Sequence, residues 1–118
     1  MNFRKPTIED AYLYYKWAND PVVRLNSFNS DKIILSEHLR WFNEKLQDPK
    51  CELYLFYDKG NIPIGQVRIQ KDSENKSVIN ISIDEKFRGM GYGVMLVDLS
   101  TKDYFSRKLN NEINAYVK

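Results

Sequence analysis

The sequence predicts an α+β domain of the three-layer α/β type, in which a mostly antiparallel mixed sheet is flanked by helices. Three apolar runs, at residues 51–57, 62–69 and 78–83, are joined by short polar turns, as expected for consecutive antiparallel strands. A glycine-containing turn then leads from the third run into an amphipathic segment at residues 94–109. Because strands joined by short turns pair antiparallel, a doubly wound parallel sheet is excluded for this part of the chain.

The first half of the chain predicts one short strand, a helix and a loop. Residues 2–5 predict a strand that ends at Pro6, and Thr7 predicts a helix start to which Asp10 reaches back as part of the cap. Apolar residues then recur at helical spacing, at positions 8, 11, 12, 15 and 18. Residues 21–31 are polar and predict an irregular loop.

A second helix is predicted after this loop, with Ser36 as its cap and an end before Pro49. Its apolar face would consist of Leu35, Leu39, Phe42 and Leu46. Residues 112–117, after the C-terminal helix, predict a fifth strand. Since no repeat, linker or low-complexity segment interrupts the chain, the sequence predicts a single domain over residues 1–118.

Charge and composition exclude several classes of protein. The 18 Lys and Arg residues nearly balance the 16 Asp and Glu residues and are scattered, so nucleic acid is not an expected partner. One cysteine, Cys51, cannot form an intramolecular disulfide, and together with one histidine it cannot complete a zinc site. No signal-like or membrane-length apolar run is present, so a soluble, cytoplasmic protein without a membrane partner is expected.

The turn between residues 83 and 94 contains three glycines and predicts an anion site. A strand that turns into a helix through glycines leaves backbone N–H groups unpaired at the positive end of the helix dipole, where phosphate binds well. No Lys-Ser or Lys-Thr pair follows the glycines, which excludes a P-loop. Gly93 stands one position too early for the dinucleotide-binding pattern.

Arg88, Gly91 and Gly93 fit a pattern in which an Arg or Gln is followed three positions later by Gly and five positions later by Gly or Ala. With the preceding strand, this loop resembles the acetyl-CoA loop of the GNAT (GCN5-related) N-acetyltransferases, and the order of predicted elements is similar to the GNAT fold from its first strand to its fifth. The resemblance implies acetyl-CoA as cosubstrate and no metal. It implies that the loop binds the pyrophosphate through Arg88, Gly89, Met90, Gly91, Tyr92 and Gly93. A bulge in the preceding strand would offer backbone groups of Ile81, Ser82 and Ile83 to the pantetheine arm.

Residues 17–28 and 37–42 resemble a GNAT branch that acts on nucleotide-linked amino sugars, as in pseudaminic acid synthesis. This resemblance implies that Trp17, Arg24 and His38 line the acceptor pocket. The attacking amine must be neutral, so a proton acceptor is required, and the catalytic candidates are His38, Asp84 and Tyr116. Structural explanations remain open for each of these acceptor-pocket and catalytic candidates. The aromatic residues could pack in the core without touching substrate, and the charged residues could be solvated on the surface.

The sequence stops directly after the fifth predicted strand, so the helix and strands that follow in GNAT enzymes are expected to be missing. The exposed edge strand then predicts a homodimer. The leading functional hypothesis is acetyl transfer from acetyl-CoA to the primary amine of an amino sugar or nucleotide-linked sugar. Two alternatives remain open, an acetyltransferase for protein N-termini or ribosomal proteins, and a CoA-binding or interaction protein without turnover.

Overall fold

A five-stranded sheet forms the centre of the fold. The computed structural model describes residues 1–25, 31–72 and 76–107, together with the backbone of 113–115. The strands lie in the order β1 to β5, and their bounds are Asn2–Arg4, Cys51–Tyr57, Pro63–Lys71, Ser77–Ile83 and Ile113–Ala115. Neighbouring strands are antiparallel from β1 to β4, whereas β5 pairs parallel to β4. The predicted meander, the fifth strand and the mostly antiparallel mixed sheet are therefore confirmed.

The described residues form four α-helices, α1 at Ala11–Ala18, α2 at Pro21–Leu25, α3 at Leu35–Gln47 and α4 at Tyr92–Arg107. Two short 3₁₀ turns are also present. Ile8–Asp10 precedes α1, and Glu85–Phe87 precedes residues 88–93, here called the glycine loop. In the part of the chain that the structure describes, no helix is both long and apolar enough to cross a membrane.

The two faces of the sheet carry separate apolar cores, because strand side chains alternate between faces. One core joins the sheet to α4 and consists of Tyr54, Phe56, Ile64, Val67, Ile69, Ile79, Ile81, Leu96 and Tyr104. The other joins β2 to α1 and α3 and consists of Ala11, Tyr14, Trp17, Phe42, Cys51, Leu53 and Leu55. Helices thus cover both faces, which confirms the three-layer prediction.

The predicted apolar face of α1 is only partly right, since Ala11 is buried and Tyr15 and Ala18 are half-buried but Ile8 and Tyr12 are not, and its cap is confirmed. Ile8 is 53% exposed and Tyr12 is 66% exposed, while the buried positions are Ala11, Tyr14 and Trp17. The reason is that residues 8–10 form a 3₁₀ turn, which has about 3 residues per turn, so the phase of the helix is set from Ala11. Asp10 accepts a hydrogen bond from the Thr7 backbone N–H at 2.8 Å, as the cap predicted.

Two further predictions in the first half are corrected. The stretch expected to be an irregular loop contains α2, which begins with Pro21 directly after the capping side chain of Asp20. Helix α3 begins at Leu35 with Ile34 as its N-cap residue, so Ser36 lies inside the first turn rather than at the cap. The fully buried positions of α3 are His38 and Phe42, and Leu39 is only partly buried.

Candidate active site

A cavity of about 470 Å³ lies between the sheet and helices α1, α2 and α3. Its floor carries four polar side chains from the middle of the sheet, Gln66 and Arg68 of β3 and Asn80 and Ser82 of β4. They are cross-strand partners, since Gln66 lies opposite Ser82 and Arg68 lies opposite Asn80 in the β3–β4 ladder. The Gln66 amide also donates to the Ser82 hydroxyl at 3.2 Å, so this end of the floor is held in place.

The helices supply the walls of the cavity. Trp17 comes from α1, Arg24 from α2, and Glu37, His38 and Trp41 come from α3. The structure therefore brings the three residues expected to bind the acceptor, Trp17, Arg24 and His38, to one cavity. Their contact with an acceptor stays a prediction.

Two side chains that line the cavity each have a buried polar atom with no hydrogen-bond partner among the described residues. These atoms are the Tyr14 hydroxyl oxygen and Nε2 of His38, in side chains that are 5% and 3% exposed. Buried polar atoms are normally satisfied, and one left without a partner costs about 1–3 kcal/mol. Nε2 of His38, whose ring lines the cavity, could therefore be satisfied by a polar ligand there.

The surroundings of His38 favour its neutral form. Burial lowers the pKa of the imidazole, and a hydrogen bond with the Ala11 backbone only partly opposes this effect. The ring lies among aromatic neighbours, with ring centroids 5.4 Å from Tyr15 and 5.7 Å from Trp41. A neutral imidazole with an unengaged Nε2 can accept a proton at neutral pH. Burial also raises the pKa of Tyr14, so the phenol stays protonated.

Asp84 follows β4 and holds its neighbours in position. One carboxylate oxygen accepts a hydrogen bond from Trp17 Nε1 at 2.9 Å, and the other accepts one from the Lys86 backbone N–H at 3.0 Å. Burial would raise the pKa of Asp84, but the bonds from Trp17 and Lys86 lower it below its usual value. A carboxylate with a lowered pKa and engaged oxygens is a weak proton acceptor, so this geometry supports a positioning role for Asp84 toward Trp17. Its catalytic role stays a prediction.

The glycine loop has the backbone shape that only glycine adopts easily. Gly89 and Gly91 have φ angles of +76° and +80°, in the left-handed region. Helix α4 begins at Tyr92, two residues earlier than expected, so the N–H groups of its first turn have no partner inside the helix. Gly93 lies within this turn, where an added Cβ would make an ordinary 3.8 Å contact with Ile81. The open amides lie where the loop was predicted to bind pyrophosphate.

Arg88 fixes the glycine loop to the helical layer. Its guanidinium forms an ion pair with Asp20 at 3.1 Å, and its Nε donates to the Ile83 carbonyl at 3.1 Å. Asp20 lies between α1 and α2, so the ion pair connects the loop to the helices that wall the cavity. Arg88 thereby positions the loop, and its direct contact with CoA stays a prediction.

The bulge expected in β4 is absent from its pairing with β3. The ladder runs without a break from the pair Gly65 and Ile83 to the pair Lys71 and Ser77. On its other side β4 pairs with β5 only over residues 77–79, as far as the described residues extend. The backbone of residues 81–83 is therefore not displaced by a bulge in the β3–β4 ladder, and its contact with the pantetheine arm stays a prediction.

The cavity and the glycine loop meet at the end of β4. Ser82 lies in the cavity floor, Asp84 binds Trp17 in the cavity wall, and the Ile83 carbonyl binds Arg88 of the loop. A cofactor held by the loop would thus reach the cavity along residues 81–83. The described residues contain no group of His, Cys, Asp and Glu side chains that could hold a metal ion. Tyr116, the third catalytic candidate, lies outside the described residues.

Several cavity residues were missed from the sequence, among them Tyr14, Glu37, Trp41, Gln66, Arg68 and Asn80. The sequence did contain a pattern that indicates the polar floor of the cavity. In each of two apolar runs, polar residues stand two positions apart, at 66 and 68 in the first and at 80 and 82 in the second. Such spacing places both side chains on one face of a strand. Tyr14 and Trp41 carried no such signal, since aromatic residues on a helix usually pack in the core.

Comparisons with known proteins bear on the family and the fold. A family model described as an acetyltransferase (GNAT) domain matches residues 1–118. No curated protein matches the chain significantly. A solved spermidine N-acetyltransferase from Vibrio cholerae, in complex with CoA and spermine, superposes with a TM-score of 0.81 at 16% identity, over 98% of this chain and 69% of that one.

Two other solved structures have the same fold. A domain from Methanocaldococcus jannaschii superposes with a TM-score of 0.81 at 18% identity, over 97% of this chain and 75% of that one. A transcriptional regulator from Bacillus halodurans superposes with a TM-score of 0.74 at 19% identity, over 99% of this chain and 81% of that one. At such identities the likeness establishes the fold alone.

Proposed function

The chain belongs to the GNAT acetyltransferase family, whose enzymes use acetyl-CoA as cosubstrate, and on this premise we propose that it transfers the acetyl group to a primary amine bound in the cavity. The observation that carries the proposal is the meeting of cavity and glycine loop at the end of β4, where Ser82 belongs to the floor and Ile83 binds Arg88. A thioester held by the loop and an amine held in the cavity would come together there.

The cofactor is proposed to lie along the glycine loop and residues 81–83 of β4. The amides of residues 89–93 would bind the pyrophosphate at the start of α4, while the backbone of Ile81, Ser82 and Ile83 would hydrogen-bond the pantetheine arm. A backbone N–H of this segment would also stabilise the charge that develops on the thioester oxygen during attack. Such a donor lowers the barrier by about 2.7–4 kcal/mol in other enzymes.

His38 is the proposed proton acceptor. Its lowered pKa and its unengaged Nε2 beside the cavity support this role. The amine loses a proton as the new C–N bond forms, and the proton passes to the imidazole directly or through one water. Tyr116 remains a proposed acid for the departing CoA thiolate.

The acceptor is proposed to be an amino sugar or a nucleotide-linked sugar. The polar floor of Gln66, Arg68, Asn80 and Ser82 supports an acceptor rich in hydroxyl groups. A polyamine is the second candidate, since a solved neighbour is a spermidine N-acetyltransferase in complex with CoA and spermine. Among the described residues that line the cavity, Glu37 is the single carboxylate, whereas Arg24 and Arg68 are both cationic. This balance of charge favours the sugar over a polyamine.

An acceptor panel tests the proposal. Acetyl transfer to amino sugars, polyamines and a peptide N-terminus is followed by CoA release and by the mass of the product. We expect the wild-type chain to acetylate a small amine, His38→Gln to lose most of the activity, and Glu44→Gln, on the exposed face of α3, to retain it. Acetylation of the peptide alone would favour a protein acetyltransferase. Binding of acetyl-CoA without transfer to any amine would favour a CoA-binding protein without turnover.

A homodimer also remains a proposal. Strand β5 lies at the edge of the described sheet, with β4 on its inner side. An edge strand offers unpaired backbone groups to a second chain. Solution scattering across a concentration series tests this proposal, and a monomer at every concentration would contradict it.

A further inference from the structure

Arg68 is a partly buried cation on the cavity floor, and no carboxylate pairs with it among the described residues. It lies in the middle of β3, and its guanidinium carbon stands 5.1 Å from the centre of the Trp41 ring. The ion pairs of the described chain involve Arg4, Arg88, Lys102 and Arg107 instead. A charge withdrawn from water is costly unless an opposite charge or several hydrogen bonds compensate it.

Arg68 lines the cavity between an aromatic ring and a polar neighbour. The guanidinium lies over the Trp41 ring and makes no hydrogen bond or ion pair with a described residue, so its N–H donors can bind a ligand. Asn80 lies directly opposite on β4, and its side chain lines the same floor. Residues opposite each other in a ladder have Cβ atoms about 4.5–5.5 Å apart, so the two side chains can reach one bound group.

We propose that Arg68 and Asn80 form an anion subsite, so that the acceptor amine carries a phosphate or a carboxylate. This inference rests on the proposed acetyl transfer and adds the class of acceptor to it. A guanidinium donates two parallel hydrogen bonds to such a group, and the Asn80 amide supplies a further donor. A polyamine, which is cationic along its length, would be repelled by Arg68.

The position of the subsite also sets the shape of the acceptor. The pair formed by Gln66 and Ser82 lies two residues nearer the glycine loop than the pair formed by Arg68 and Asn80. Two residues of a strand span roughly 7 Å. If the amine is acetylated beside Ser82, its anionic group therefore lies roughly 7 Å away, about the width of one sugar ring with a substituent.

Calorimetric titration of the full chain tests the subsite without requiring turnover. The probes are two matched pairs, an aminohexose with its phosphate monoester, and an aminoalkyl amide with the corresponding aminoalkyl carboxylate. We expect the wild type to bind at least one anionic member roughly tenfold to a hundredfold more tightly than its neutral partner, and the two pairs tell phosphate from carboxylate. Arg68→Met, which keeps the stem over Trp41, is expected to lose this preference. Arg40→Met removes an equal charge from the exposed face of α3 and is expected to keep it.

Three results would overturn the subsite: equal binding within both pairs by the wild type, a preference that Arg68→Met retains, or a preference that Arg40→Met loses. Should Arg68→Met fail to fold by circular dichroism, Arg68→Lys keeps the charge without the planar fork and is expected to weaken the preference. Acetyl transfer measured in parallel separates the two proposals. Transfer without an anion preference refutes the subsite alone, and an Arg68-dependent preference without transfer refutes the proposed function alone.

Discussion

Replacing Gly65 with alanine is expected to force β3 away from β4 next to the candidate active site. Gly65 pairs with Ile83 at the end of the ladder. A Cβ at this position would lie 2.3 Å from the Ser82 carbonyl oxygen and 3.2 Å from the Ile83 Cα. Ordinary carbon–oxygen contacts between strands are roughly 3.3–3.6 Å, so the strands would have to separate by about 1 Å. Both contacts involve backbone, which cannot move aside as a flexible side chain can.

The size of this effect follows from the cost of overpacking. Extra atoms in a tightly packed region cost about 1–3 kcal/mol, and we expect Gly65→Ala to lower the free energy of unfolding by about 3 kcal/mol because the obstacle is backbone. Gly93→Ala is the matched control. Gly93 lies in α4, and its Cβ would make an ordinary 3.8 Å contact with the Ile81 side chain of β4. Alanine in a helix is favoured over glycine by about 0.5–1 kcal/mol. The two variants are therefore expected to differ by about 3–4 kcal/mol.

Urea unfolding followed by far-ultraviolet circular dichroism measures this difference, with the slope of the transition compared across the variants. Gly65→Ala is also expected to weaken acetyl-CoA binding at a temperature where it remains folded, because residues 82 and 83 would be displaced. A free energy of unfolding within about 0.5 kcal/mol of the wild type would refute the reasoning.

Three further predictions concern the site. The pKa of His38 is lowered on folding, so below pH 6.5 the unfolded chain binds a proton at His38 more readily than the folded chain does. The free energy of unfolding is therefore expected to fall as the pH drops below this value. Urea titrations between about pH 5 and 7 test this, and His38→Gln is expected to flatten the dependence on pH. Arg88→Ala breaks a partly exposed ion pair and is expected to lower the free energy of unfolding by under about 1 kcal/mol. It is also expected to weaken acetyl-CoA binding in calorimetry, whereas Arg40→Ala is not. Equal affinities of Arg88→Ala and the wild type for acetyl-CoA would contradict this. Trp17→Phe leaves one Asp84 carboxylate oxygen without its hydrogen-bond donor and is expected to lower the free energy of unfolding by about 1–3 kcal/mol. An unchanged free energy of unfolding in urea would contradict this.

Local patterns in the sequence predicted the sheet and the glycine loop well. Strand β2 occupies the expected residues, and the meander follows because period-two alternation and short turns act within a few residues. Gly89 and Gly91 adopt the positive φ angles that make glycine necessary in the turn. The short helix α2 was missed, although Asp20 followed by Pro21 is a good helix start.

The candidate site was only partly predictable, because it depends on how distant segments pack. His38 lies off the apolar stripe expected for α3, yet it is buried against the rings of Trp41 and Phe42. Its neutral form is a consequence of that burial and not of its neighbours in sequence. The hydrogen bond between Trp17 and Asp84 joins residues 67 positions apart, which no local pattern indicates. Charges on the cavity floor became interpretable only once the β3–β4 register placed Arg68 beside Asn80.

The central claim is that the glycine loop and the C-terminal end of β4 bind acetyl-CoA beside the cavity. Calorimetric titration of the full chain with acetyl-CoA tests it most directly, with Gly91→Asp as the disabling variant and Asp98→Asn, on the exposed side of α4, as the control. Gly91→Asp places a side chain at positive φ and a negative charge beside the proposed pyrophosphate site. We predict one-to-one binding by the wild type and the control, and its loss in Gly91→Asp. No binding by the wild type, or equal binding by Gly91→Asp, would contradict the account.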